Sequence, residues 1–215
     1  MTIINDPRCS SEGFKLPNSD VVHATGWNLS ELLEKTEKIH GETTRGRNGK
    51  VSRRSAWYTM KDCTCSYSYG DGQPWTPNDF EDWMLQFCRD AAKLCKLNKV
   101  PNAINFNEYS STSQALGFHA DDEELFPDEN GESSIVSFSL GSMREFKIKK
   151  YYDPDNIYVP TLLRNGDVLI MRGAMQKHFQ HAIAQGTSDC GGKRVNFTLR
   201  HVCNHKSKCL AKDDY

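Results

Sequence analysis

Residues 193–202 read KRVNFTLRHV, a run that alternates strictly through its middle. In an extended chain successive side chains point to opposite faces. Val195, Phe197 and Leu199 therefore share one face, and Arg194, Asn196, Thr198 and Arg200 the other. Such a strand is either an amphipathic sheet edge with a wet polar face or an inner strand whose arginines face something anionic. Short strand-like runs fill the second half of the chain: AINFNEY (103–109), SIVSFSL (134–140), EFKIK (145–149), DVLIMR (167–172) and HAIA (181–184). The turn-rich pieces DENGE, DPDN and RNGD separate them. No crossover helix lies between them, which excludes a doubly wound parallel sheet and indicates an antiparallel sandwich or jelly roll.

Two helices are expected before this region. NLSELLEKTEKIH (28–40) has capping-box spacing at Asn28 and Glu31, with Leu29, Leu32 and Leu33 on its apolar side. TPNDFEDWMLQFCRDAAKLCKL (76–97) offers Thr76 as a cap, Pro77 for the first turn, and a stripe of Phe80, Trp83, Met84, Phe87, Ala91 and Leu94. That stripe reads as core, and the two helices as braces against one sheet. Gly41 to Arg54 reads as a loop, and AWYTMKDCTCSYSYG (56–70) as one or two short strands.

A chain of 215 residues, 37% hydrophobic and 26% charged, is long enough for one domain with a real core. No apolar run approaches the roughly 18 residues of a membrane span, and the opening MTIINDPRCSS lacks the layout of a secretory signal. The eight cysteines follow no disulfide framework. A monomer in a reducing intracellular compartment, cytoplasmic or nuclear and away from membranes, is the expectation, with metal binding as the alternative to inert thiols. The net charge of -1 does not advertise a nucleic-acid binder. Charge is unevenly spread, however. RGRNGKVSRR (45–54) is wholly basic in its charged residues, and DDEELFPDENGE (121–132) wholly acidic. The basic run is either a solvated connection or a flap that tracks phosphates.

GFHADDEELF (117–126) places His119 and Asp121 two apart, on one side of an extended segment. KHFQHAIA (177–184) offers His178 or His181 as a further ligand. Two histidines and a carboxylate form the facial triad of non-haem Fe(II) oxygenases, which leaves iron positions open for a cosubstrate and O2. A cosubstrate such as 2-oxoglutarate chelates iron through its keto-acid end and needs a buried cation for its far carboxylate. A guanidinium suits that task.

Together these residues resemble the AlkB family of Fe(II)/2-oxoglutarate dioxygenases, from about Arg53 to Val202. The matching parts are NEY (Asn107, Tyr109), HADDE (His119, Asp121, Glu123), FQHAI (His181) and RVNFTLR, which fits the family ending R-x-N-x-[ST]-x-R in full. The resemblance implies an α+β, mainly β fold: a double-stranded β-helix, or jelly roll, with N-terminal helices bracing one sheet and a nucleotide-recognition lid. Residues 1–100 would hold the helices and lid, 101–203 the dioxygenase core and 204–215 a tail. His119, Asp121 and His181, rather than His178, would bind Fe(II). Asn107, Tyr109, Arg194, Asn196 and Arg200 would hold 2-oxoglutarate, with Arg194 at the distal carboxylate and Arg200 near the keto-acid end. Glu123 would read the exocyclic amino group of a methylated base.

SRRSAWY resembles the P-R-x-x-x-x-Y start of the family's lid, with Ser52 in place of proline. Arg53 and Arg54 would then face the substrate. SYSYG resembles the family's substrate-facing aromatic strand, with Tyr67 near a phosphate and Tyr69 against the base, or both packed in the sheet. The implied activity is oxidative demethylation of 1-methyladenine or 3-methylcytosine in RNA or single-stranded DNA, yielding formaldehyde, succinate and CO2. A base must leave its stack to reach the iron, which favours single strands. FHADDEELF is closest in wording to RNA-active and plant-viral members. Alternatives are N6-methyladenine demethylation of RNA, tRNA base hydroxylation, or a catalytically silent nucleic-acid-binding module. The tail RHVCNHKSKC (200–209) adds a possible structural zinc on His201, Cys203 and Cys209, resembling a clasp in a tRNA-modifying member, with His205 or Cys190 as fourth ligand.

Overall fold

A computed structural model describes residues 11–16, 19–24, 29–45, 51–68, 74–128, 130–187 and 191–213. In chain order these form β1 (Ser11–Leu16), β2 (Ser19–Ala24), α1 (Ser30–Thr36), β3 (Glu42–Arg45), β4 (Val51–Thr59), β5 (Asn78–Asp79), α2 (Asp82–Leu94) and β6 (Ala103–Tyr109). They continue as β7 (Leu116–His119), β8 (Ile135–Gly141), β9 (Arg144–Lys150), β10 (Asp153–Leu163), β11 (Val168–Gly173), α3 (Met175–His178), β12 (Phe179–Ile183) and β13 (Arg194–Arg200). A 3-10 turn, Leu210–Asp213, follows.

The strands make a larger sheet of order β1-β2-β11-β8-β13-β6-β4-β3, with β5 beside β4, and a smaller sheet of order β10-β9-β12-β7. Every pairing is antiparallel except the short β4–β5 contact. This is the two-sheet arrangement of a double-stranded β-helix.

β13 runs between β8 and β6, with Phe197 opposite both Phe138 and Phe106. A central strand buries both faces, and the alternation sorts them. Val195, Phe197 and Leu199 join Ile104, Phe106, Val136 and Phe138 in a core that α1 and α2 cover through Leu32, Met84, Phe87 and Ala91. On the other face of the larger sheet, Tyr109, Ile135, Leu169 and Met171 pack against Phe146, Ile148, Phe179 and Ile183 of the smaller sheet. The polar residues of β13 open between the sheets. β8 ends in Gly141, which pairs with Arg194 at φ +75; a Cβ there would lie 2.4 Å from the Lys193 carbonyl oxygen. Only glycine fits that approach.

The structure corrects several local expectations. α2 begins at Asp82 with Glu81 in the capping position, not at Pro77 under a Thr76 cap. The preceding residues are used elsewhere, because Asn78–Asp79 pair with Tyr58–Thr59 and the Phe80 amide donates to the Thr59 carbonyl. α1 starts at Ser30, with Leu29 in the cap position and no side-chain cap, while Asn28 lies outside the described residues. The stretch read as a loop is largely a hairpin, with β3 against β4; Arg47 and Lys50 lie outside the described residues. Among the described residues no helix is long and apolar enough to cross a membrane.

Candidate metal and cosubstrate site

The site follows from one strand pairing. β7 and β12 place His119 directly opposite His181. Opposed residues on a sheet face are close enough for their side chains to interact, and the two imidazole centroids lie 4.2 Å apart. Asp121, two residues beyond His119, reaches back between them. Its Oδ1 is 3.7 Å from His119 Nε2 and its Oδ2 is 3.7 Å from His181 Nε2. The Asp121 amide donates to Gln176 Oε1 at 3.0 Å, which ties the loop after β7 to α3.

Hydrogen bonding selects the ring atoms. His119 Nδ1 lies 2.9 Å from the Gly117 carbonyl, so Nδ1 carries the proton and Nε2 is left as a donor for a metal. Burial lowers the pKa of both histidines, that of His181 to about 3. Neutral imidazole is the ligating form. Burial opposes ionisation of Asp121, but the Arg200 guanidinium beside it and the two imidazoles hold its carboxyl below the usual range. One ligand atom from each of the three residues lies within 4.8 Å of the others. His178 is exposed at the end of α3 and stays outside this group.

A pocket opens from the cluster between the two sheets. Its wall carries Arg194, Asn196, Thr198 and Arg200 from β13, Asn105, Asn107 and Tyr109 from β6, and Arg53 from β4. Arg194 is 1% exposed; it donates to Ser139 Oγ at 3.1 Å and lies over the Tyr109 ring. Burial pulls its pKa down to about 10, so it remains a cation at neutral pH. Arg200 Nη2 lies 2.8 Å from Asp121 Oδ2. Asn196 donates to Ser137 Oγ and accepts from the Thr198 hydroxyl, which fixes its amide.

Several buried donors are left over. Nε and Nη1 of both Arg194 and Arg200 have no hydrogen-bond partner within the protein. An unpaired buried donor costs on the order of 1–3 kcal/mol, and more for a charged group. Two such guanidiniums in one pocket fit a dianionic ligand. Two imidazoles and one carboxylate fit Fe(II) with open coordination positions. The residues present therefore suit both Fe(II) and 2-oxoglutarate.

Profile comparison assigns residues 19–200 to the 2OG-Fe(II) oxygenase superfamily. The chain belongs to that superfamily. Curated relatives that it matches are AlkB homologues. The Arabidopsis thaliana protein named DNA oxidative demethylase ALKBH2 is 27% identical, over 47% of this chain and 38% of its own length. Human alkB homolog 3, an alpha-ketoglutarate-dependent dioxygenase, is 32% identical over 47% and 36%. The Arabidopsis thaliana DNA N(6)-methyladenine demethylase ALKBH1C is 29% identical over 61% and 33%. The chain thus spans about a third of the length of these relatives. The structure of OsALKBH1 superposes with a TM-score of 0.58 at 23% identity, over 80% of this chain and 91% of that one, a likeness of fold.

Around the mouth of the oxygenase pocket the sequence expectations divide. Tyr67 is 1% exposed, stacked on Trp57 at 5.0 Å, and its hydroxyl bonds to Glu123. Glu123 is half-buried; burial and the nearby Asp121 charge raise its carboxyl to about 7. Arg53 points into the pocket and donates to Asn107 Oδ1 at 2.7 Å. Arg54, on the opposite face of β4, pairs with Glu108 at 2.9 Å and is away from the pocket. Tyr69 lies outside the described residues.

The tail expectation needs correction. β13 ends at Arg200, and His201 and Cys203, which line one cavity with Lys99, form no ligand group with Cys209 among the described residues. His201 Nδ1 bonds to the Val100 carbonyl. Cys209 instead meets Cys63, Cys65 and His205; Cys190 lies outside the described residues. Sequence reasoning missed Cys63 and Cys65, although their C-x-C spacing was a visible signal. It also missed Ser139 and Gln176, which carry no signal of their own.

Proposed function

We propose that the chain is an Fe(II)- and 2-oxoglutarate-dependent demethylase of N-methylated bases, 1-methyladenine and 3-methylcytosine, in RNA or single-stranded DNA. The observation that carries this reading is the His119, Asp121, His181 cluster opening into a pocket lined by two buried arginines with free donors. His119, Asp121 and His181 hold the iron. Arg194, with Tyr109 beside it, takes the distal carboxylate of 2-oxoglutarate. Arg200 steadies Asp121 and faces the keto-acid end, while Asn107 and Asn196 line the wall between. Iron and 2-oxoglutarate, when bound, supply O2 activation and hydroxylation of the N-methyl carbon, with succinate, CO2 and formaldehyde released.

Tyr67 and Phe126 lie against the Arg200 guanidinium, and Glu123 bonds to Tyr67 beside them. A carboxyl group at that place can hydrogen-bond the exocyclic amine of an unstacked base. Arg53 adds positive charge at the same mouth. The named activities of the Arabidopsis and human relatives support the same chemistry. A second reading, removal of N6-methyladenine, draws support from ALKBH1C, which matches the longest part of this chain among the three relatives compared. A silent binding module does not account for the free buried guanidinium donors.

Formaldehyde release from matched RNA and DNA oligonucleotides carrying 1-methyladenine, 3-methylcytosine or N6-methyladenine, with and without 2-oxoglutarate, separates these readings. The proposal expects 2-oxoglutarate-dependent release from the first two bases. Release confined to N6-methyladenine would replace it by the second reading. No turnover of any methylated base by iron-loaded protein would overturn both.

A further inference from the structure

We propose that Cys63, Cys65, His205 and Cys209 form a structural zinc site that pins the tail to the segment bearing Tyr67. The four ligand atoms lie within 4.8 Å of one another and come from segments about 140 residues apart in sequence. His205 Nδ1 is 3.7 Å from Cys63 Sγ, 3.7 Å from Cys65 Sγ and 3.2 Å from Cys209 Sγ. Zinc bonds of about 2.3 Å to sulfur and 2.0–2.1 Å to nitrogen, at tetrahedral angles, put sulfur and nitrogen about 3.6 Å apart. The cluster is therefore already near metal-bound spacing.

The chemistry of the donors selects the ion. Soft thiolates with one imidazole favour zinc over the hard cations that carboxylates hold. Four protein ligands leave no open position, the mark of a structural site. Cys63, Cys65 and Cys209 are buried and are free thiols. Binding zinc displaces their three protons and leaves a net charge of -1, which N–H groups stabilise. The Lys206 amide donates to Cys65 Sγ at 3.3 Å, and backbone groups of Thr64 and Ala211 act on Cys209.

The frame is built before any metal arrives. Thr59 Oγ1 donates to the Cys63 carbonyl and Trp57 Nε1 to the Cys65 carbonyl, each at 2.9 Å, so β4 holds the C-x-C segment in place. Two residues on, Tyr67 stacks on Trp57 and lines the pocket mouth. From the tail, Val202 and Ala211 pack into the same apolar cluster as Tyr67 and Phe126. A metal at this point therefore fixes the aromatic wall beside the iron cluster without touching it. The claim does not depend on the demethylase reading.

Full-length protein purified without chelators from zinc-supplemented cells is expected to carry about one zinc per chain. Exchange for cobalt(II) should give intense thiolate-to-metal charge-transfer absorption, which the sulfur-free His119, Asp121, His181 cluster cannot produce. Cys63→Ser with Cys209→Ser should abolish zinc and the absorption; His201→Gln with Cys203→Ser should keep both. If the serine variant does not fold, an organomercurial titrated into wild-type protein should release the zinc as three thiols react. Zinc-free wild-type protein, cobalt binding without thiolate absorption, a disulfide among the three cysteines, or zinc loss through Cys203→Ser would each overturn the site.

Discussion

Arg200 Nη2 lies 2.8 Å from Asp121 Oδ2, and both side chains are almost fully buried. The last residue of β13 is thus bound to the carboxylate that reaches back between His119 and His181. The pair ties β13 to the His119, Asp121, His181 cluster. Its geometry also sets a stability cost, because removing one partner of a buried pair strands the other charge. Arg200→Gln in metal-free protein should lose about 3–5 kcal/mol of unfolding free energy, read from chemical denaturation. A loss below about 1 kcal/mol would mean that Asp121 is not held by this contact.

Arg194 tests the cosubstrate pocket separately. Its Nη2 is committed to Ser139 and its remaining donors are free. Lysine keeps the charge but not the planar fork. Charge-assisted hydrogen bonds are worth about 1.5–3 kcal/mol, so Arg194→Lys should raise KM for 2-oxoglutarate roughly 10- to 100-fold. Steady-state kinetics that leave KM for 2-oxoglutarate unchanged would remove Arg194 from the pocket.

Gly141 makes a backbone prediction. A side chain at φ +75, with its Cβ 2.4 Å from the Lys193 carbonyl, must push the start of β13 away from β8. Gly141→Ala should destabilise by at least about 1–3 kcal/mol and weaken 2-oxoglutarate binding through Arg194. Calorimetry of both quantities checks the coupling.

Phe197 reports on the opposite face of the same strand. It is 0% exposed and its ring meets Phe87, Trp83 and Phe106. Phe197→Ala should cost about 3–5 kcal/mol in chemical denaturation while leaving KM for 2-oxoglutarate near the wild-type value.

How far the sequence was legible follows from whether each signal was local. The alternation from Arg194 located β13, although the strand ends at Arg200 and not at Val202, and AINFNEY matches β6. It did not say which face was wet, since both are buried. His119 and Asp121 were legible through their spacing. Their meeting with His181 depends on the β7–β12 register, which no local pattern records. β10 carries no such signal, because its DPDN start reads as a turn, and α2 begins after its apparent cap because Asn78 and Asp79 have a sheet partner in β4. The Cys63–Cys65 pair and the tail were each visible, but only the fold brings them together.

The most direct test of the central claim is the visible spectrum of the protein with Fe(II) and 2-oxoglutarate in the absence of O2. Chelation of iron by the keto acid gives a metal-to-ligand charge-transfer band that needs the histidine-carboxylate cluster and the arginine wall together. Wild-type protein should develop this band saturably, His181→Ala should lack it, and Arg194→Lys should need more 2-oxoglutarate to reach it. A wild-type protein without the band at saturating iron and 2-oxoglutarate, or a band untouched by His181→Ala, would contradict the assignment.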